Sequence, residues 1–268
     1  DLPLGLPVIG GHEGSGVVEA VGPGVSSVAP GDHVAMSFVP SCGRCKWCSS
    51  GRQYICDLGA KLFDLQMITR EPGDVSHRIG DVEAARFAQV GTFSEKLLVS
   101  QDSLVKIEPD LPLDVAALVS CGVATGWGSA VHRADVKPGD TVAVIGIGGV
   151  GINAVQGARM AGAKRVIAID PVEFKREKAM EMGATHTYSS IEEAQLAVPD
   201  LTWGDMCDAV ILVPGVVTGD MIEPALGLTS KGGTLVVTAI GNMLQTDAAL
   251  NLFMLSMMNK EIKGTVFG

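Results

Sequence analysis

Six consecutive residues, Gly146-Ile147-Gly148-Gly149-Val150-Gly151, constrain this chain more than any others because of what stands on either side of them. Before them runs TVAVIGI (141 to 147), an apolar segment suited to a strand buried on both faces, and after them GINAVQGARMAGA reads as a helix. A GxGxxG run alone is a weak signal. Between a strand and a helix, with Asp170 closing the next apolar run RVIAID about twenty residues on, it has the context that a dinucleotide fingerprint requires. The alternation then continues through a charged helical stretch around FKREKAMEMGA, a short THTYS, then CDAVILV, GGTLVVTAI and EIKGTVFG. Six strands with intervening helices predict an α/β Rossmann unit, a doubly wound parallel sheet.

The physical reading of that fingerprint gives each residue a task. Glycines at 146, 148, 149 and 151 let the backbone turn tightly and approach a pyrophosphate, while the helix N-terminus beginning near Val150 offers unpaired N–H groups and the positive end of a dipole. A carboxylate at Asp170 accepts hydrogen bonds from two ribose hydroxyls and repels a 2′-phosphate, which favours NAD over NADP. Lys175, five residues later, is either a second ribose contact or a solvated helix charge.

The grammar before residue 124 differs. GSGVVEAVGPGVSSVAPGDHVAM breaks short Val-rich runs with Gly, Pro and Asp, as in a compact β domain with tight turns. The boundary predicts two domains, 1–124 and 125–268, which suits a length of 268 residues. Within the first, Cys42, Cys45, Cys48 and Cys56 form C-x2-C-x2-C-x7-C. Short CxxC steps suit tetrahedral thiolate ligation, and four sulfurs leave no open position, so the expected ion is a structural zinc. The alternatives are disulfides or free thiols, and a two-residue disulfide loop is strained. Clustering of this kind also points to a reducing, cytoplasmic setting. A formal charge of -10 argues against a nucleic-acid partner, because phosphate binding needs clustered Lys and Arg. No uninterrupted apolar run reaches the roughly 18 residues that cross a bilayer, so a soluble protein with a small-molecule partner and no membrane is expected.

In order, GHEGSGVVEAVGPGV, PGDHV, the four-cysteine lobe, CGVATGWGSAV, VIGIGGVG and AID with its later Lys resemble the zinc-dependent medium-chain alcohol dehydrogenases across the whole chain. The resemblance implies a GroES-like β catalytic domain, present in part, followed by the Rossmann domain. It also implies a catalytic zinc held by His12 and Cys121, with Glu13 beside the metal and Thr125 near the nicotinamide. Taken singly, His12 and Cys121 would read as a structural histidine and an inert core cysteine. The family's third zinc ligand precedes the GHE motif, and its closing segment follows the cofactor domain. The resemblance therefore implies a chain cut at both ends, lacking a ligand, with activity that depends on the missing parts.

The implied reaction is oxidation of an alcohol to an aldehyde or ketone with hydride transfer to NAD, in a homo-oligomer, dimer or tetramer. The intact zinc lobe is similar to the branch that includes glutathione-dependent formaldehyde dehydrogenase, which makes oxidation of an S-hydroxymethyl thiol adduct one alternative. A non-catalytic NAD-binding protein on the same fold is another. The long segment from Asp57 to Val90 resembles the nicotinoprotein alcohol dehydrogenases, which hold NAD without releasing it. His33, His77, His132 and His186 lack partners at metal spacing and read as surface or structural. Met243, Met254, Met257 and Met258 suit either a subunit interface or helix core. Trp47 and Trp203 carry no assignment.

Overall fold

The computed structural model describes residues 7–59, 68–69, 77–242 and 244–268. The chain divides into two compact units that part between Gly122 and Val123.

The N-terminal unit is built from short strands. Val8–Ile9 (β1), Ser15–Val17 (β2), His33–Met36 (β3), Ile68–Thr69 (β4), Arg78–Ile79 (β5), Val82–Glu83 (β6), Ala85–Phe87 (β7) and Leu104–Lys106 (β8) pair as β1-β7-β4, β2-β3-β8 and a β5-β6 hairpin. Frequent Gly and Pro keep them short. The PGDHV turn shows how one is made. Gly31 takes a left-handed φ of 93°, and the Asp32 carboxylate accepts the Ala29 N–H at 2.9 Å and meets Lys106 Nζ at 2.6 Å. The hydrogen bond from Lys106 holds the Asp32 carboxyl below its usual pKa. Residues 60–67 and 70–76 of the Asp57 to Val90 segment, and Met243, lie outside the described residues.

The C-terminal unit holds the six-stranded sheet. Thr141–Ile145 (β9), Arg165–Ile169 (β10), His186–Tyr188 (β11), Cys207–Leu212 (β12), Thr229–Val237 (β13) and Glu261–Gly264 (β14) are all parallel, in the order β11-β10-β9-β12-β13-β14. Every residue of β9 is buried, as its unbroken apolar run requires. Two clusters of buried side chains line the sheet, one around Val142, Val144, Val155 and Ile211, the other around Ile145, Ile167, Leu212 and Leu235.

Two strand limits differ from expectation. β13 begins at Thr229, ahead of the Gly232-Gly233 pair that reads as its start. Its partners jump from Cys207↔Thr229 to Ala209↔Thr234, so the glycines form a bulge inside the strand, with Gly232 at φ 71°. β14 stops at Gly264, short of the Phe267 to which its apolar pattern extends. The long helix Ile191–Thr202 tolerates Pro199 and ends on Trp203 in the left-handed region, φ 53°, where the Gly204 N–H returns to Pro199 O at 2.8 Å. Trp203 is thus a helix cap, 85% exposed, with the Lys164 ammonium 5.7 Å from its ring centroid.

One further stretch departs from the sequence reading. Leu113–Arg133 is continuous helix of mean hydropathy 1.3, long and apolar enough to cross a membrane by length and composition. Scattered Ser, Thr and Gly hide that length in the sequence. Two π turns, Val119–Val123 and Ser129–Arg133, interrupt its α geometry, and Ser120, Thr125 and Ser129 are buried with their hydroxyls in protein. Ser120 Oγ donates to Gly14 O at 2.8 Å.

Candidate functional site

In the cysteine lobe the backbone itself gathers the sulfurs. Cys45 caps the short helix Lys46–Ser49, its sulfur accepting the Cys48 N–H at 3.4 Å, and the Cys42 sulfur accepts the Cys45 N–H at 3.4 Å. All four Sγ atoms lie within 4.8 Å of one another, with Cys42 to Cys48 at 4.0 Å and Cys45 to Cys56 at 3.9 Å. Four thiolates ~2.3 Å from one tetrahedral ion stand about 3.8 Å apart, so the cluster fits such an ion. All are free thiols, which removes the disulfide alternative. Backbone N–H groups of Asp57 and Cys48 lower the Cys45 thiol to about 6, toward the ligating form. Burial pushes Cys56 up to about 11, so this sulfur depends on the ion to lose its proton. Trp47 is flanked by Lys46 and Arg52, whose cationic groups lie 5.0 and 4.8 Å from its ring centroid.

A second donor pair forms in the same unit. His12 Nε2 and Cys121 Sγ are 3.3 Å apart although 109 residues separate them in the chain. His12 is gripped edge-on by Phe38 and Phe87, with centroids 5.3 and 5.7 Å away. Burial lowers its pKa and Glu13 opposes that shift, the former being the larger effect, so the imidazole favours the neutral, metal-binding form. Cys121 sits in the π turn Val119–Val123, where an extra residue per turn re-aims a side chain. Glu13 turns to the same turn, its Oε1 accepting the Gly122 N–H at 2.8 Å. The three residues that the family resemblance nominates therefore come together, two with their donor atoms 3.3 Å apart and one bonded to the turn that carries Cys121. Phe38, Phe87 and Ser120 support the pair, and no motif in the sequence marks them.

The glycine loop occupies the C-terminal unit. Gly146 ends β9 with φ 94°, and a Cβ there would lie 2.6 Å from Val213 O. A Cβ on Gly151 would lie 1.9 Å from Gly146 O, so helix and turn touch. By contrast, nothing lies within 4 Å of a Cβ added to Gly148 or Gly149. The helix Gly149–Met160 starts from Gly148 without a side-chain cap, leaving its first N–H groups directed into that opening around Val150. This is an open cradle of the kind that takes a phosphate. Gly126 brings the helical segment Ala124–Gly128 against the same helix, where a Cβ would meet Val150 O at 2.1 Å, and the adjoining Thr125 is buried. Ser129 Oγ donates to Thr125 O at 2.7 Å and lies 3.0 Å from Thr238 Oγ1.

Asp170 closes the cradle, but its carboxylate is more engaged than the sequence suggests. Oδ2 accepts the Ile147 N–H at 2.8 Å and Oδ1 the Val172 N–H at 2.9 Å, with Lys175 Nζ 3.5 Å from Oδ2. Oδ1 keeps a second lone pair for a ribose hydroxyl, while Lys175 faces Oδ2. Lys175 is a partner of Asp170 and not merely a solvated charge.

The remaining histidines stay apart from these sites. His186 Nδ1 is 2.9 Å from Thr185 Oγ1, His77 is buried, and among the described residues the four cysteines form the one group of three or more metal donors. Met254 and Met258 are half-buried and Met257 is 66% exposed, so these three are not a helix core.

Comparison with known proteins agrees with this geometry. The signature described as alcohol dehydrogenase GroES-like domain matches residues 2–109, and that described as zinc-binding dehydrogenase matches residues 149–268. An NDMA-dependent alcohol dehydrogenase of Amycolatopsis methanolica is 47% identical over 268 residues, covering 100% of this chain and 71% of that protein. Alcohol dehydrogenase B of Mycobacterium tuberculosis is 48% identical over 269 residues, again covering 100% of this chain and 71% of the relative. Among solved structures, benzyl alcohol dehydrogenase from Acinetobacter calcoaceticus superposes with a TM-score of 0.84 at 28% identity, over 98% of this chain and 70% of that one. Fold, paired donors and full-length similarity together show that the chain belongs to the zinc-dependent medium-chain alcohol dehydrogenase family.

Proposed function

We propose that this chain serves the oxidation of a small alcohol to its aldehyde or ketone with hydride transfer to NAD, using one structural and one catalytic zinc. The observation that carries the reading is the convergence of His12 Nε2 and Cys121 Sγ at 3.3 Å, braced by Glu13. When bound at that pair, zinc would polarise the alcohol oxygen, and the nicotinamide would accept hydride from the carbinol carbon. The chain's own residues prepare that chemistry. Burial keeps the His12 imidazole neutral, Phe38 and Phe87 fix its ring, and Glu13 holds the turn that presents Cys121. Gly148, Gly149 and the uncapped N–H groups that follow would receive the pyrophosphate, Asp170 and Lys175 the adenosine ribose, and Thr125 the nicotinamide side. The carboxylate of Asp170 would exclude a 2′-phosphate, which selects NAD.

Kinship to an NDMA-dependent enzyme favours a refinement in which NAD stays bound and is recycled by a second substrate. The free cysteines support a reducing, cytoplasmic setting. The exposed Leu252, Phe253 and Met257 support assembly as a homo-oligomer, dimer or tetramer.

The test is reduction of nicotinamide by a primary alcohol in the complete-length protein, followed by absorbance with and without added free NAD. Sustained reduction of added NAD supports the ordinary dehydrogenase, and turnover only with a nitroso acceptor supports the bound-NAD form. Absence of both would defeat the reading. In the same assay Cys121→Ala is expected to lower turnover by roughly a thousandfold, the equivalent of about 4 kcal/mol of lost charge stabilisation. Metal analysis of that variant should still find the zinc of the cysteine lobe. Turnover within about threefold of the parent would remove Cys121 from the site.

A further inference from the structure

We propose that Arg176 is a positioning residue that sets nucleotide selectivity by fixing the Asp170-Pro171 turn. The inference rests on the NAD reading above and adds to it a residue outside the fingerprint. The last carbonyl of β10 to be claimed by a neighbouring backbone is Ile169 O, which accepts the Gly146 N–H at 2.8 Å. Beyond it the chain leaves the sheet, and Pro171 has no N–H with which to anchor itself. Arg176 supplies the missing hold. Its Nη1 donates to Asp170 O at 2.8 Å and to Pro171 O at 2.9 Å. From the other side Asp170 N donates to Tyr188 O at 3.1 Å.

The placement of Arg176 is unfavourable on local grounds. It lies near the start of helix Glu173–Glu181, where the dipole favours acids and disfavours cations. A residue that breaks the local rule while gripping two carbonyls next to the selecting carboxylate is placed for that grip. The consequence for selectivity is geometric. The Asp170 carboxylate ties the turn to the glycine loop through Ile147 N, and the Arg176 clamp ties the same turn to the following helix. Selection against a 2′-phosphate depends on where the carboxylate stands, and Arg176 determines the path of the main chain that carries it. An arginine at this end of a nucleotide site has a rival role as a ligand for the 2′-phosphate itself. Here Nη1 is committed to two carbonyls, and the group that the glycine loop touches through Ile147 N is the Asp170 carboxylate.

The two roles predict opposite results. The probes are ADP-ribose and its 2′-phosphate, titrated by calorimetry into the nucleotide-stripped full chain as parent, Arg176→Met and Arg176→Lys. Arg176→Met is expected to weaken ADP-ribose about tenfold and the 2′-phosphate less than threefold, narrowing the selectivity ratio, while Arg176→Lys, which still donates to the carbonyls, stays within about threefold of the parent for both. Equal weakening of both probes would mean general loosening of the fold and would overturn the proposal. Selective loss of the 2′-phosphate would make Arg176 a phosphate ligand and also overturn it, as would no change. A parent protein that binds neither probe would sink the nucleotide reading itself and this inference with it, a result distinct from failure of the variants alone.

Discussion

Gly151→Ala is expected to abolish NAD binding and to lower the unfolding temperature by roughly 6–12 °C, the equivalent of about 3 kcal/mol in a unit of this size. The added methyl would lie 1.9 Å from Gly146 O and 3.0 Å from Gly146 C, both backbone, so no side chain can swing aside. Either the helix Gly149–Met160 retreats or the turn at Gly146 opens, and both moves dismantle the cradle. Gly149→Ala is the matched control. Its methyl meets nothing within 4 Å, and alanine is the better helix former by up to about 1 kcal/mol, so stability should hold or rise slightly. Binding should still weaken by roughly tenfold to a hundredfold, because the methyl occupies the space a pyrophosphate would take. Thermal unfolding and NAD titration on the two variants read this directly. If Gly149→Ala melts as early as Gly151→Ala, the opening is not a ligand space but part of the packing.

Loss of the cysteine-lobe ion should have a large effect on the other unit. Cys45→Ser or exhaustive chelation is expected to remove one equivalent of zinc per chain and expose residues 42–56 to protease. Little else holds the lobe. Apart from the helix Lys46–Ser49 and the single 3-10 turn Gln53–Ile55, the segment between Cys42 and Cys56 has no regular structure. Structural zinc sites supply roughly 10–16 kcal/mol in small peptides that fold only with metal, far more than those turns can replace. In the stripped protein, alkylation followed by mass spectrometry should find Cys45 modified first, at a pH just above about 6, and Cys56 last, near about 11. The order follows from cause. Cys45 receives backbone N–H donors, whereas Cys56 is buried, and the thiolate is the reacting form. A lobe that stays protease-resistant without metal, with all four thiols reacting together, would show that the ion braces nothing.

How far the sequence could carry this reading depends on the distance over which each feature acts. The cysteine lobe and the loop from Gly146 to Gly151 are local, and spacing alone assigns both. Strand limits were less legible, as at Gly232-Gly233, where a glycine pair reads as a boundary but forms a bulge whose existence depends on the partner strand. The His12 and Cys121 pair lies at the other extreme. No spacing rule links residues so far apart, and only family resemblance brought them together before the fold placed their donor atoms at 3.3 Å. The π turn that aims Cys121 has no composition signal, nor do the rings of Phe38 and Phe87 around His12. Asp170 shows a subtler gap. Its position at the end of a strand was readable, but its two backbone partners and the Arg176 clamp are properties of three-dimensional turns.

The central place of β9 has a consequence in time as well as in space. This strand is flanked by β10 and β12, and all five of its residues are buried, while β11 and β14 each have one free side in the sheet. Amides in such a strand exchange with solvent only when the whole unit opens, whereas edge strands fray by smaller local openings. The glycine loop is therefore mounted directly on the slowest-breathing part of the unit. Deuterium uptake should be last at Val142 to Ile145 and earlier at Glu261 to Gly264, and bound nucleotide should slow the loop without slowing its strand. The cradle keeps its shape between binding events because the strand beneath it does not open on that timescale.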